Sequence, residues 1–347
     1  MTLQTTPSPN NRPLAADMML VSILNWNGTE DTITCLSGID RQTNPRVRFA
    51  VLDNGSRIDP TTQLRTLFPD VEVFREQHNL GFCGGHNRMI QLAIERGYGS
   101  VLILNNDCEI DIHSIIELQK TMDLDPQTAA VSSLIYRSGT ERIALMVAGS
   151  IDWAQQRSVR PSSPDAPEPM GQPTLLVGTA LLLRCAAMKQ IGLLDDRYFA
   201  YYDDNDLSAR IAAAGLKAVY CKTSICLHCY RPLHQYSAMA LYLMSRNQWL
   251  FWQTYTPSEF RGGMTRRLLS QSLHDLALLK KNNAPSDKKN AIVDGWWDAH
   301  RGRFGPPPAD RSSPWWLRRL AFAAPYFMSR LLAEPSTTLR ATVRRLF

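Results

Sequence analysis

Residues 18–28 read MMLVSILNWNG and residues 47–56 read VRFAVLDNGS. Each is a short apolar run that passes straight into a polar, glycine-bearing turn, the signature of a strand leaving a buried sheet. Runs without polar alternation belong to strands covered on both faces. Working outward, similar strand runs fall at 71–74, 101–104 and 129–135, and amphipathic helical stretches at 30–39, 61–68, 85–96 and 112–122. This alternation predicts an α/β fold with a mostly parallel central sheet flanked by helices, whose ligands gather at the carboxyl ends of the strands.

The second half is less regular. Five prolines between 161 and 173 predict a long loop of the kind that serves as a substrate flap. Residues 174–183 read as one continuous buried strand, 186–191 and 203–214 as helices, and 218–221 and 224–227 as two short strands. From about 234 the chain reads as helical. The expected organisation is an unstructured segment at 1–16, a catalytic domain at 17–233 divided at 136/137 into nucleotide-binding and acceptor halves, and a C-terminal helical extension at 234–347.

The chain has 347 residues, 44% hydrophobic and 20% charged, which excludes a disordered or fibrous protein. Its net charge of +6 sits at one end, because residues 311–347 hold seven arginines and the single acid Glu334. A charge-balanced body argues against nucleic acid as a partner, and a basic tail argues for an anionic surface. At 100° per residue Trp316, Leu320, Ala323, Phe327 and Leu331 share one face, with Arg318, Arg319 and Arg330 on another. That is the pattern of a helix lying in a membrane surface, kinked at Pro325. Seven cysteines in no framework spacing, and no basic-then-apolar export signal, predict a reducing cytoplasm and a peripheral place at the inner face of the cytoplasmic membrane.

Four strand ends carry polar residues on one edge of the sheet: Asn25 to Gly28, Asp53 to Ser56, Asn79 to Asn87, and Asn105 to Asp107. That edge suits a nucleotide diphosphate. Asp53 offers acceptors to a base or ribose, the glycine-rich segment opening a helix lets backbone approach an anion, and Asp107 is a hard-oxygen ligand for Mg2+ or Mn2+. A second acidic group, Asp203-Asp204-Asn205-Asp206, follows Phe199 to Tyr202, aromatics able to desolvate a carboxylate into a useful base. Cys221, Cys226, His228 and Cys229 fit no standard zinc spacing. The glycine segment lacks the dinucleotide order at the first strand, which excludes hydride transfer. Nucleotidyltransfer would want a basic loop near Asn25 that is missing, and an inactive binding protein has no need of the acids at 203–206.

In their order, Ile23 to Asn27, Val51 to Ser56, Asn79 to Phe82, Leu104 to Asp107, Gly178 to Ala180 and Asp203 to Leu207 resemble family 2 glycosyltransferases, within them the rhamnosyltransferase-like members that extend bacterial surface polysaccharides. The resemblance covers about residues 18–230 and implies the GT-A fold. It implies that Asp53 reads the nucleoside, with Asn25, Asn27, Asn54, Gly81, Phe82, Asn87 and Asn106 around the nucleotide. Asn105 and Asp107 then stand in the metal motif, with Asn105 in place of an acid, and His228 completes the site for Mg2+ or Mn2+. Asp204 is the implied base of a single inverting displacement, and Asp203, Asp206, Gly178, Thr179 and Arg246 position donor and acceptor. The implied partners are a nucleotide-sugar donor, dTDP-rhamnose foremost and UDP-hexoses next, and a lipid-linked saccharide acceptor.

Overall fold

The computed structural model describes residues 17–138, 144–146, 149–159, 174–228 and 232–333. The expected disordered start and the proline-rich loop at 161–173 lie outside the described residues. The chain forms two compact units, one comprising 1–150, 159–199 and 203–230, the other 151–158, 200–202 and 231–347.

The first unit begins β1 (Met19–Asn25), α1 (Thr29–Ser37), β2 (Val47–Asn54), α2 (Thr61–Leu67), β3 (Glu72–Glu76), α3 (Gly81–Arg96) and β4 (Ser100–Asn105). It continues through β5 (Cys108–Ile110), α4 (Ile112–Asp123), β6 (Thr128–Arg137) and β7 (Ala144–Met146). A two-stranded ribbon, β8 (Ser150–Asp152) with β9 (Arg157–Val159), falls almost wholly in the second unit, and the first resumes with β10 (Ala180–Arg184), α5 (Cys185–Ile191), α6 (Asp203–Ala213) and β11 (Lys217–His228).

The main sheet runs β3-β2-β1-β4-β10-β6-β11-β5, with β7 beside β6. Strands β3, β2, β1 and β4 are mutually parallel, which is the part the alternation foretold. Beyond them β10 enters antiparallel between β4 and β6, and β5 antiparallel to β11, so the sheet is mixed. The core beneath it is built from strand residues such as Val21, Ile23, Val51 and Leu102, all fully buried, against Leu36, Leu64, Ile115 and Leu118 from the helices.

Two expectations are corrected here. The single strand read at 174–183 is confined to Ala180–Arg184. Upstream, Leu175 makes an isolated antiparallel bridge with Gly149, and the next donors go to α6: Leu176 N–H to Ser208 Oγ (3.0 Å) and Gly178 N–H to Asp204 Oδ2 (3.3 Å). The two short strands at 218–221 and 224–227 are one strand, β11, carrying an irregularity between Cys221 and Ile225.

The second unit holds α7 (Ala238–Tyr255), α8 (Met264–Lys281), α9 (Ser286–His300), α10 (Trp315–Ala323) and α11 (Pro325–Ala333). The Ser237 hydroxyl caps α7 by accepting from Ala240 N–H (3.1 Å). Helices α7 and α9 approach closely because Gly295 has no side chain: a Cβ there would lie 2.7 Å from the Tyr242 carbonyl oxygen. Tyr242 Oη donates to Asp298 (2.7 Å) and Ser245 Oγ to the Ile292 carbonyl (2.8 Å) across the same contact. The kink expected at Pro325 is a full break, with Ala324 at φ −149°, ψ 62° between α10 and α11.

Candidate active site

Parallel register sets Asn25 opposite Asp53 and Asp53 opposite Arg75. Asp53 Oδ1 accepts from Asn25 Nδ2 (2.8 Å) and Ser56 Oγ (2.5 Å), and Oδ2 accepts from Arg75 (2.7 Å) and Ser56 N–H (3.3 Å). A carboxylate has about four lone-pair sites, so protein donors use all of them. Asp53 is 0% exposed, and Asn25, equally buried, spends its oxygen on Thr32 Oγ1. The outward-facing member of this cluster is Arg75, which also meets Asp59 at 3.2 Å.

The other expected nucleotide residues shape the same edge. Asn54 donates to Asn79 and to the Gly81 carbonyl and accepts from Leu80 N–H, pinning the turn before α3. Gly81 sits at φ +78° against the Phe199 carbonyl, where any Cβ would collide, and Cys83 N–H donates to that carbonyl (3.1 Å). Phe82 is half-buried and meets the ring of His86, while Asn87 holds the Leu194 backbone and the Asp196 carboxylate. Asn106 donates to the Gly28 carbonyl and Thr32 Oγ1. Asn27 is exposed at φ +55°, its N–H held by Ser56 Oγ. His86 is fully buried and pushed down to about 3 by that burial, so it belongs to the core.

A second cluster forms where β4 turns into β5. Asp107 Oδ1 and His228 Nε2 stand 3.3 Å apart, each with roughly a quarter of its side chain open, and Cys108 Sγ lies within 4.8 Å of both. The strand pairing of His228 with Cys108 brings them together. A hydrogen bond with Cys226 and burial push the Cys108 thiol up, and carboxylate, imidazole and thiol are the three groups gathered here. One carboxylate and one imidazole, completed by water and phosphate oxygens, fit a divalent cation of the Mn2+ type.

Adjacent backbone groups tie this turn to the acids of α6. The Gly178 N–H donates to Asp204 Oδ2, and the next residue, Thr179, accepts from Asn105 N–H (2.9 Å). Asp204 is half-buried at the helix start, whereas Asp203 and Asp206 are buried. Asp206 pairs with Arg210 (2.8 Å), which also holds the Ile191 carbonyl, so it anchors α6 to the end of α5.

Arg246, expected to position a ligand, is 0% exposed, its guanidinium over the rings of Tyr242 and Phe304. It donates to Asn247 Oδ1 (3.0 Å), and Asn247 Nδ2 in turn donates to the carbonyls of Ala200 (2.8 Å) and Tyr201 (2.9 Å). Tyr201 and Tyr202 hold left-handed φ of +68° and +69°, and the chain runs from them directly into Asp203 and Asp204. Arg246 is therefore packed inside the second unit, bonded to the same Asn247 that holds the carbonyls of Ala200 and Tyr201. Sequence reading missed Arg75 and Thr32. Ending the third strand at 74 hid Arg75, since two more residues in register place it opposite Asp53.

The fold and the site define a class, a GT-A nucleotide-sugar transferase built on a mixed α/β sheet. A match to Glycosyl transferase family 2 spans residues 21–192. An N-acetylglucosaminyl-diphospho-decaprenol L-rhamnosyltransferase of Mycobacterium tuberculosis is 29% identical over 215 residues, covering 56% of this chain and 70% of that protein. The low-salt glycan biosynthesis hexosyltransferase Agl10 of Haloferax volcanii is 24% identical over 242 residues, covering 67% and 75%. Among solved structures, GalNAc-T7 with UDP, GalNAc and Mn2+ superposes at TM-score 0.53 and 16% identity, over 84% of this chain and 58% of that one. TarS of S. aureus superposes at 0.53 and 11% identity, over 90% and 55%. Both likenesses speak to the fold alone. The match over residues 21–192, together with the glycosyltransferase relatives, supports a nucleotide-sugar-dependent glycosyltransferase with a family 2 domain.

Proposed function

We propose that the protein transfers a deoxyhexose, L-rhamnose from dTDP-rhamnose, to a hydroxyl of a lipid-linked saccharide at the inner face of the cytoplasmic membrane. The observation that carries this reading is the backbone pair at Gly178 and Thr179, which joins the Asp204 carboxylate to the turn bearing Asp107, itself 3.3 Å from His228 at the end of β11. A base and a cation-binding pair held on adjacent peptide groups serve the two ends of one displacement.

Asp204 takes the proton of the acceptor hydroxyl as its oxygen bonds to the anomeric carbon. The bond from that carbon to the phosphate oxygen breaks, and the nucleotide diphosphate leaves with the electron pair from the opposite face, inverting the centre. Asp107 and His228 would hold Mg2+ or Mn2+, which offsets the charge growing on the diphosphate. The Mycobacterium relative named above supports both the sugar and the lipid-linked acceptor.

The amphipathic end supports the membrane surface. Trp315, Trp316, Leu320, Tyr326 and Phe327 are exposed, while Ala321, Pro325 and Ser329 form the buried side. Arg319 stacks over Trp315 at 5.6 Å, giving the cation and interfacial aromatic that a headgroup layer accepts. Among the described residues no helix is long and apolar enough to cross a membrane.

The test is release of nucleotide diphosphate from dTDP-, UDP- and GDP-sugars with lipid-linked acceptors, with and without Mg2+ or Mn2+, for wild type and Asp204→Asn. Release from dTDP-rhamnose alone, lost in the variant, is expected. Release only from a UDP-hexose would replace the donor, and no release from any donor would overturn the reading. Binding to anionic vesicles should weaken in Trp315→Ser/Trp316→Ser, and unchanged binding would remove the membrane assignment.

A further inference from the structure

The second unit contains a cavity of about 270 Å³ between α7 and α8 that the chemistry above does not use. Its wall presents Tyr202 and Trp252 as aromatic surfaces, Gln248 and Gln271 as carboxamides, Asp275 as a carboxyl and Arg157 at the rim. We propose that this cavity is a saccharide subsite, seating one neutral sugar ring of the acceptor.

Three observations select that ligand. A sugar ring presents apolar C–H faces and an equatorial belt of hydroxyls that both donate and accept. Aromatic walls answer the faces, and carboxamide and carboxyl groups answer the belt. Gln271 Nε2 donates to Asp275 Oδ1 (3.1 Å), fixing the carboxyl, while its second oxygen has no donor among the described residues. Gln248 is fixed likewise, with Nε2 donating to Ser272 Oγ (2.7 Å) and its carbonyl oxygen without a donor among those residues. Two oriented acceptors without donors in a cavity are what hydroxyl groups satisfy. Burial pushes the Asp275 carboxyl up to about 6, consistent with a site partly shielded from water.

Other classes fit less well. A nucleoside diphosphate needs several cationic or N–H donors, and the single guanidinium here faces a carboxyl. A polyprenyl chain needs an unbroken apolar wall, which two carboxamides and a carboxyl interrupt. The volume lies below the roughly 300–1,000 Å³ of drug-sized sites, which suits one ring and not an oligosaccharide. Tyr202 belongs to this wall and is two residues before Asp204 in the chain. The assignment to the acceptor rests on the transferase reading above, whereas sugar binding itself does not.

Saturation-transfer NMR on the full chain, with the methyl β-glycosides of N-acetylglucosamine, glucose and rhamnose as probes, tests it. At least one glycoside should give signals in wild type and in Asp204→Asn. The affinity should fall about tenfold in Asp275→Ala and in the exposed-site variant Gln271→Ala, the loss of one well-placed hydrogen bond. In transfer assays both variants should raise the acceptor KM about as much and leave the donor KM unchanged. No signal from any probe, or equal signals in wild type and both variants, would overturn the subsite. Sugar binding without transfer from any donor would keep the subsite and sink the catalytic reading. Transfer with an unchanged acceptor KM in both variants would do the reverse.

Discussion

The two polar clusters at the edge of the sheet look alike in sequence and differ in how their hydrogen bonds are spent. At the ends of β1 and β2, Asn25, Asp53 and Asn54 are at most 1% exposed and bonded to one another, to Ser56, Arg75 and the turn before α3. At the ends of β4 and β11 and the head of α6, Asp107, His228 and Asp204 keep part of their surface open. The first cluster is bonded like a frame, whereas the second keeps part of each side chain open to solvent.

The largest effect should come from the open cluster. Asp204→Asn is expected to lower kcat by about 10²- to 10⁴-fold, the range of a lost general base, with an unchanged melting temperature. A comparable fall in melting temperature would move Asp204 into the frame. Asp53→Ala should behave in the opposite way. It leaves the buried donors of Asn25 and Ser56 without their acceptor, and a loss of about 1–3 kcal/mol in urea unfolding is expected. If the variant unfolds like wild type yet loses nucleotide affinity, Asp53 is a binding residue and the contrast collapses.

Asn247→Ala tests whether a frame in the second unit tunes the open cluster. Removing its two bonds to the carbonyls of Ala200 and Tyr201 should cost about 1–3 kcal/mol of stability. It should also lower kcat more than it raises the donor KM, and equal loss in both would assign it a general structural role. A pH-dependent effect concerns His86. The folded chain takes up its proton near pH 3 and the unfolded chain near 6.5. The stability tied to the neutral ring is whole above pH 6.5 and is lost as pH falls through that window, by at most about 1.4 kcal/mol per pH unit. Comparing acid unfolding of wild type and His86→Met should reveal that slope as the difference, and identical curves would remove it.

Much of this architecture was legible beforehand, for a physical reason. The parallel strands are continuous buried runs that end in polar turns, and both signals are local. Strand β5 was not legible, being three residues defined only by pairing with β11 more than a hundred positions away. The antiparallel entry of β10 has no local mark either. Within the site, the residue types at strand ends announced themselves, and the partners that use up Asp53 did not. The burial of Arg246 had no local mark, because an arginine beside an asparagine reads the same whether it faces a ligand or two aromatic rings.

The left-handed run at Phe199, Tyr201 and Tyr202 has an evolutionary consequence. Each non-glycine residue held there costs of order 1 kcal/mol, sustained only while surrounding bonds such as those of Asn247 over-determine it. A lineage that loses Asn247 first keeps the strain without its restraint. One that admits glycine at 202 first relaxes the backbone and forfeits a ring. Neither step is neutral alone, so substitutions at 201, 202 and 247 should travel through descent as linked sets, and drift at any one of them should be slow.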